Sequence, residues 1–291
     1  MSCVLCRSVV ALALAFACGF EALAASDAGD VPTVAESAAG GDAKPDPIQP
    51  AAPVGAATAP AAAQGVRVVE INGKIQPGLV YKLRTALKDI DSRRFPAGAL
   101  LLLNSDGGDG IAAMEIGRMV RAAKAHTFVR GRCASACVFI FAGGVVRSSP
   151  SERAAVGIHR PRLTGFVKGL GVVDINTASN QNAANALDVS NRLSEVFLRE
   201  MGMPDALYKA MMATPPEQMR YLDVAELSAL GLYGFDPAYR AARAPEGAGR
   251  YGVSAEEFVR RTMLVQDKCL EDKTTAHEFA RCYRRVLQTG E

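Results

Sequence analysis

The segment Ala99-Leu100-Leu101-Leu102-Leu103 is apolar at every position, is bounded by Gly98 and Asn104, and runs directly into Ser105-Asp106-Gly107-Gly108-Asp109. A strand that is apolar throughout, and not only at alternate positions, must be covered on both faces. Its neighbours fit that demand. Val66 to Ile71 is β-branched and ends at Asn72-Gly73, while Leu79, Leu83, Leu87 and Ile90 recur at helical spacing. Ile111, Met114, Ile116, Met119 and Val120 predict a second helix, Thr127-Phe128-Val129 a third strand, Ser135 to Phe141 a third helix, and Ala154 to Ile158 a further strand. Strand and helix alternating at this spacing predict an α/β domain with parallel connections, whose site lies in loops at the strand carboxyl ends. Beyond Gly171 the pattern is helical, over Asn182 to Met201, over Pro204 to Met212, and again from Asp223, which forms a capping box with Glu226. Two more helices are expected after Ser254.

The N-terminal quarter is different in kind. Arg7, the apolar run Val9 to Ala17 and the small-residue triplet Ala22-Leu23-Ala24 have the layout of a secretory signal peptide with cleavage after Ala24. The apolar run is too short for a membrane-spanning helix, so no transmembrane anchor is expected after processing. Lipoprotein processing at Cys18 is the weaker variant, because Ala15-Phe16-Ala17 is a poor match to the motif that precedes such a cysteine. Residues 25–65 are mostly Ala, Pro, Gly, Asp and Ser and cannot bury enough apolar surface to offset their ordering entropy. The expected organisation is a signal peptide at 1–24, a disordered linker at 25–65, a folded domain at 66–240 and a helical C-terminal extension at 241–291. The protein is thereby expected to be exported, periplasmic or secreted.

At 49% hydrophobic and 22% charged residues, the chain is neither wholly disordered nor a polytopic membrane protein. Lys44 against Asp27, Asp30, Glu36, Asp42 and Asp46 leaves the linker at −4, and residues 1–24 are neutral, so of the net charge of +3 the folded part carries +7. Its Arg residues are scattered and Trp is absent, which describes a solvated basic surface and not a nucleic-acid interface. Of seven cysteines, Cys3, Cys6 and Cys18 leave with the signal peptide. The four that remain fit an oxidising compartment. Cys269 and Cys282 are expected to form a disulfide between the two tail helices. Cys133 and Cys137 are expected to be buried thiols, because side chains four apart on a regular helix do not readily meet disulfide geometry, and a bridge would need a distorted first turn. No metal site is expected, since His277 lacks ligand spacing with both neighbouring thiols, and no cofactor is called for.

Three segments carry candidate chemistry: Asn104-Ser105-Asp106-Gly107-Gly108, Gly131-Arg132-Cys133-Ala134-Ser135-Ala136-Cys137, and Val156-Gly157-Ile158-His159-Arg160-Pro161. Singly, each has an ordinary reading: a turn, a helix N-cap at Ser135, a structural histidine. Together they supply closely approachable backbone N–H groups, a hydroxyl at a helix start and a base, all in strand-end loops of one domain.

The order Asn-Ser-x-Gly-Gly, Gly-x-x-Ala-Ser, Ile-His-x-Pro, closing on Gly231-Leu232 after a helix Val224 to Leu230, resembles the proteolytic subunit of the Clp protease and its relatives with the ClpP/crotonase fold. The resemblance covers roughly residues 66 to 236 and implies stacked β-β-α units. It implies a serine peptidase with Ser135 as nucleophile, His159 as general base and an oxyanion hole from Gly107 and Ala136 beside Gly108. It also implies a ring-forming homo-oligomer acting on peptides or unstructured proteins.

Two departures bear on activity. The family's third triad member is an Asp about twelve residues before the closing Gly, where this chain has Met219; Glu217 is the nearest acid, and a dyad is the alternative. Asp106 replaces the usual Pro, putting a carboxylate near the proposed oxyanion site. The readings are therefore an exported serine hydrolase without ATP dependence, since no nucleotide-binding loop is present, and a catalytically silent module that binds peptides or partners in the same groove. Acyl-CoA chemistry on a crotonase-type fold is disfavoured by export.

Overall fold

The computed structural model describes residues 65–291 apart from 89, 91–97, 169–170 and 272. The expected signal peptide, and the linker up to residue 64, lie outside the described residues.

The first half alternates as the sequence predicts: β1 (Arg67–Asn72), α1 (Pro77–Lys88), β2 (Ala99–Ser105), α2 (Gly110–Ala122), β3 (His126–Ala134) and α3 (Cys137–Gly143). Then come β4 (Val146–Ser148), β5 (Val156–Ile158), a hairpin of β6 (Thr164–Val167) and β7 (Gly171–Asp174), and the helices α4 (Gln181–Glu200) and α5 (Asp205–Ala213). β8 (Arg220–Leu222), α6 (Val224–Ala229) and β9 (Gly234–Phe235) precede three closing helices, α7 (Pro237–Tyr251), α8 (Ala255–Cys269) and α9 (Ala276–Thr289). Strands β1, β2, β3 and β4 are parallel neighbours. β9 is antiparallel to β4. β3 forks: His126–Phe128 pair with β4, whereas Cys133 and Ala134 pair with β5, which pairs antiparallel with β8.

The apolar run of β2 is divided between two cores by strand alternation. Leu101 and Leu103 join Val69, Ile71 and Val129 under α1 to α6, whereas Leu100 and Leu102 join Val68 and Phe128 under α7 to α9. Each of these leucines is at most 1% exposed, which is worth about 1.5–3 kcal/mol apiece. On the second face Phe128 meets Phe279 edge-on at 5.3 Å between ring centroids. α2 begins where Asp109 caps it, its side chain accepting from Ala112 N–H at 2.8 Å, and α6 opens on the expected Asp223/Glu226 capping box.

Three features depart from the sequence reading. α3 starts at Cys137 and not at Ser135, because β3 runs on through Ala134 and the chain turns between them. The stretch after His159 folds back as the β6–β7 hairpin. α7 begins at Pro237, before the expected start of the helical extension at 241, and is a helix beyond the two expected after Ser254, in a stretch where Pro245, Gly247 and Gly249 are poor helix formers. Packing overrides propensity there: a Cβ on Gly247 would stand 2.4 Å from Phe258 Cζ, so only glycine lets α8 lie against α7.

Candidate active site

The site is built where β3 forks. The β2–β3 register shifts between Leu103 and Ser105, which brings Ser105 opposite Cys133. The side chain of Asn104 fills the shift: its Oδ1 accepts from the Arg132 N–H at 3.2 Å, and a Cβ on Gly131 would stand 2.2 Å from that oxygen. Cys133 N–H donates to Ala155 O at 2.9 Å and Ser135 N–H to Gly157 O at 3.0 Å, tying the fork to β5. At Ser135 the chain enters the left-handed region with φ 55°, a conformation that costs a non-glycine residue roughly 1–3 kcal/mol and persists only where its surroundings impose it.

That turn projects the hydroxyl toward β5. Ser135 Oγ lies 2.7 Å from His159 Nε2, at the end of β5, and His159 is 7% exposed. The N-cap of α3 is Ala136, so the Ser135 side chain is not a helix cap. Burial lowers the His159 pKa from its ordinary value, and the nearby Arg162 cation adds to the lowering, both of which favour the neutral imidazole, the form that can accept a proton. The Pro216 main-chain carbonyl approaches the ring and favours the protonated form, without closing a hydrogen bond to Nδ1; that nitrogen is buried and unpartnered among the described residues. Glu217 is exposed and makes no hydrogen bond to His159 among the described residues, so the structure does not bring it in as an orienting acid. Met219 and not Glu217 packs against Gly157.

The two glycines of the turn have separate tasks. Gly107, at φ +100°, faces Ser135: a Cβ there would stand 2.7 Å from Ser135 Cβ and 3.0 Å from Ala136 N. Gly108 lies under the loop after β1, where a Cβ would meet Ile75 O at 2.2 Å. Gly107 N–H donates to the buried Ser105 Oγ at 3.1 Å, whereas Ala136 N–H bonds no acceptor among the described residues. Gly107 and Ala136 thus meet at Ser135, as the motif implies, with Ala136 N–H the more available donor. Asp106 is turned outward, its side chain 72% exposed and ion-paired with Arg132, so its charge is neutralised away from the hydroxyl. Beside Asn104 and Arg132 a groove of about 510 Å³ opens toward Arg153 and Tyr221.

Both cysteine pairs are bridged. Cys269 and Cys282 join α8 to α9 as expected. Cys133 and Cys137 also form a disulfide, with Cα atoms 5.2 Å apart, which corrects the expectation of free thiols. The reason is local: Cys133 is a strand residue and only Cys137 is helical, so the two do not stand one helical turn apart. Sequence reasoning missed Pro216 and Arg162, and it named Ser105 only as part of the glycine-turn motif; the parts these residues take in the site come from tertiary folding. No group of three or more His, Cys, Asp or Glu placed to hold a metal ion is present, and no helix is long and apolar enough to cross a membrane, among the described residues.

The sequence matches the family model described as Clp protease over residues 59–232, more than half of the chain. Among solved structures, a mutant of ClpP1 from Listeria monocytogenes is similar at 18% identity, with 57% of this chain and 88% of that chain covered and a TM-score of 0.42. No curated protein matches. The matched segment runs from before β1 to the closing turn at Gly231-Leu232 and contains the glycine turn, the Ser135 elbow and the His159 strand end, and the chain therefore belongs to the Clp protease family.

Proposed function

We propose that this chain is an exported serine peptidase that works without ATP, with Ser135 as nucleophile and His159 as general base. The observation that carries the reading is the 2.7 Å contact between Ser135 Oγ and His159 Nε2 at a left-handed turn. A serine hydroxyl is a weak nucleophile until a neighbouring imidazole takes its proton, and a neutral, buried His159 is suited to do so. Oγ attacks the scissile carbonyl carbon as its proton passes to Nε2. The carbonyl oxygen becomes an oxyanion against Ala136 N–H, with Gly107 N–H joining as it exchanges Ser105 Oγ for the substrate. His159 then gives its proton to the leaving amine, and water, activated by the same imidazole, releases the acyl group. Each oxyanion donor is worth roughly 3 kcal/mol in the transition state. Peptides and unstructured proteins are the substrates that need no unfolding motor, and assembly into a homo-oligomer is part of the proposal. The signal-peptide layout of residues 1–24 and two disulfides support export.

The lack of a carboxylate on His159 Nδ1 among the described residues favours a second reading, a silent module that binds peptides in the same place. Fluorophosphonate labelling of the mature protein, with intact mass to count adducts, separates the two. One adduct on wild type, absent in Ser135→Ala and His159→Ala, is expected. Folded wild-type protein that takes up no probe would overturn the hydrolase reading and leave the binding module.

A further inference from the structure

The nucleophile lies at the centre of a five-residue disulfide loop, Cys133-Ala134-Ser135-Ala136-Cys137. A strand continued over those residues would carry the two cysteine Cα atoms about 13 Å apart. They are 5.2 Å apart, and the chain closes that distance by turning left-handed at Ser135. The residues on either side are alanines, with no side chains long enough to hold such a turn. Its two ends, in contrast, are firmly seated. Cys133 pairs with Ser105 of β2 and Val156 of β5, and Cys137 is the first residue of the buried α3.

We propose that the Cys133–Cys137 disulfide is a positioning device for the nucleophile: it fixes the turn at Ser135, keeps Oγ on His159, and makes competence depend on oxidation of the folded chain. The inference rests on the hydrolase reading for its consequence in activity, and on the backbone alone for its structural content. Both cysteines are 0% exposed, so a reductant does not reach the bond in the folded protein. The device is therefore set once, during folding, and does not toggle. Two thiols lose two protons and two electrons as the S–S bond forms, and an oxidised disulfide-exchange donor accepts both and leaves as a dithiol. A chain that folds in a reducing compartment lacks the bond, and its Ser135 turn is held only by main-chain hydrogen bonds such as Ser135 N–H to Gly157 O. Cys269–Cys282 is the internal control, because it ties two helices on the opposite face of the sheet and belongs to the second core.

The test compares full-length mature wild type, Cys133→Ala/Cys137→Ala and Cys269→Ala/Cys282→Ala, each shown to be folded by circular dichroism and thermal melting. The readouts are the rate constant of fluorophosphonate labelling at saturating probe, the probe affinity, and the Ser135 backbone in crystals. Loss of the Ser135-flanking bond is expected to slow labelling at least 100-fold with probe affinity within about threefold of wild type. Loss of the tail bond is expected to lower the melting temperature and leave the labelling rate unchanged. Wild type refolded in dithiothreitol should be silent, and should recover its rate on refolding with glutathione disulfide. A folded Cys133→Ala/Cys137→Ala protein labelled within threefold of the wild-type rate overturns the inference. If wild type itself takes no probe, the hydrolase reading fails and the crystals decide this one: a left-handed Ser135 unchanged in the variant overturns it, and a Ser135 relaxed to φ below zero supports it.

Discussion

The thioether of Met219 lies over Gly157, two residues before His159: a Cβ on Gly157 would stand 2.8 Å from Met219 Sδ. Strand alternation carried one residue past β5 puts Gly157 and His159 on one side of the chain. Met219 stands where the family has its orienting acid, and His159 Nδ1 has no side-chain partner among the described residues. Met219→Asp is expected to supply the missing carboxylate and speed fluorophosphonate labelling of Ser135 at least tenfold. The same charge favours the imidazolium, so the pH midpoint of labelling should move up. A folded Met219→Asp protein with both quantities unchanged would show that position 219 does not reach the ring.

The pH dependence of wild type follows from His159. Its pKa is lowered first by burial and then by Arg162, so the neutral base persists below the ordinary histidine midpoint. Labelling rate against pH should rise through a midpoint below 6.5. Arg162 is held by Asp174 at 3.0 Å across the base of the β6–β7 hairpin. Arg162→Ala removes one cause of the lowering, so its midpoint should be higher than that of wild type. A midpoint that stays in place or falls would remove Arg162 from the electrostatics of the site.

Gly107→Ala tests the close approach of the glycine turn to Ser135. The added methyl would meet Ser135 Cβ at 2.7 Å and Ala134 O at 2.8 Å, and the residue would have to hold φ +100°. The expected cost is about 1–3 kcal/mol of stability and a labelling rate lower by a factor of roughly 100, because the elbow and one oxyanion donor move together. Gly157→Ala serves as the comparison. Its clash is with the Met219 side chain, Sδ at 2.8 Å and Cγ at 2.9 Å, and the Tyr221 ring at 3.1 Å, with no backbone atom among them and no left-handed φ to hold, so the expected loss of stability is smaller. Urea melts and labelling rates of the two variants measure both.

His126 gives a pH dependence of stability separate from catalysis. It is 5% exposed, between the hydroxyls of Tyr239 and Tyr283, and burial lowers its pKa from 6.5 to about 4. Between those two values the unfolded chain binds a proton that the folded chain does not, so stability rises with pH across the window and is lost as pH falls through it. The contribution is about 3 kcal/mol, an order-of-magnitude value. Urea midpoints from pH 7 to pH 4 should fall less steeply for His126→Gln than for wild type.

The β-strands and helices of the first half were legible because apolar periodicity there is strong: Ala99 to Leu103 reads as a strand covered twice, and it is. Ser135 and His159 were legible as residue types in an ordered motif. What local pattern does not contain is the state of the chain at the elbow. Whether Cys133 and Cys137 are helical neighbours or a strand–helix pair depends on where β3 stops, and β3 stops where pairing with β2 and β5 ends, through residues distant in sequence. Glu217 was the nearest acid by counting, but loop direction sets its side chain outward, and no count of positions encodes that. α7 was not resolved as a helix of its own for the opposite reason, since Gly247 is there to admit the Phe258 ring and its helix propensity is beside the point.

The three closing helices change what can be separated from what. The family match ends at residue 232, before α7 begins, yet Val66, Val68, Leu100, Leu102 and Phe128 inside or beside it share a core with Phe279, Tyr283 and Leu287. A protein cut at the end of the recognisable segment would present that row of side chains to water, a bare apolar wall on the central sheet. The recognisable part is thus not a portable module, and its smallest self-sufficient form includes the last helix of the chain.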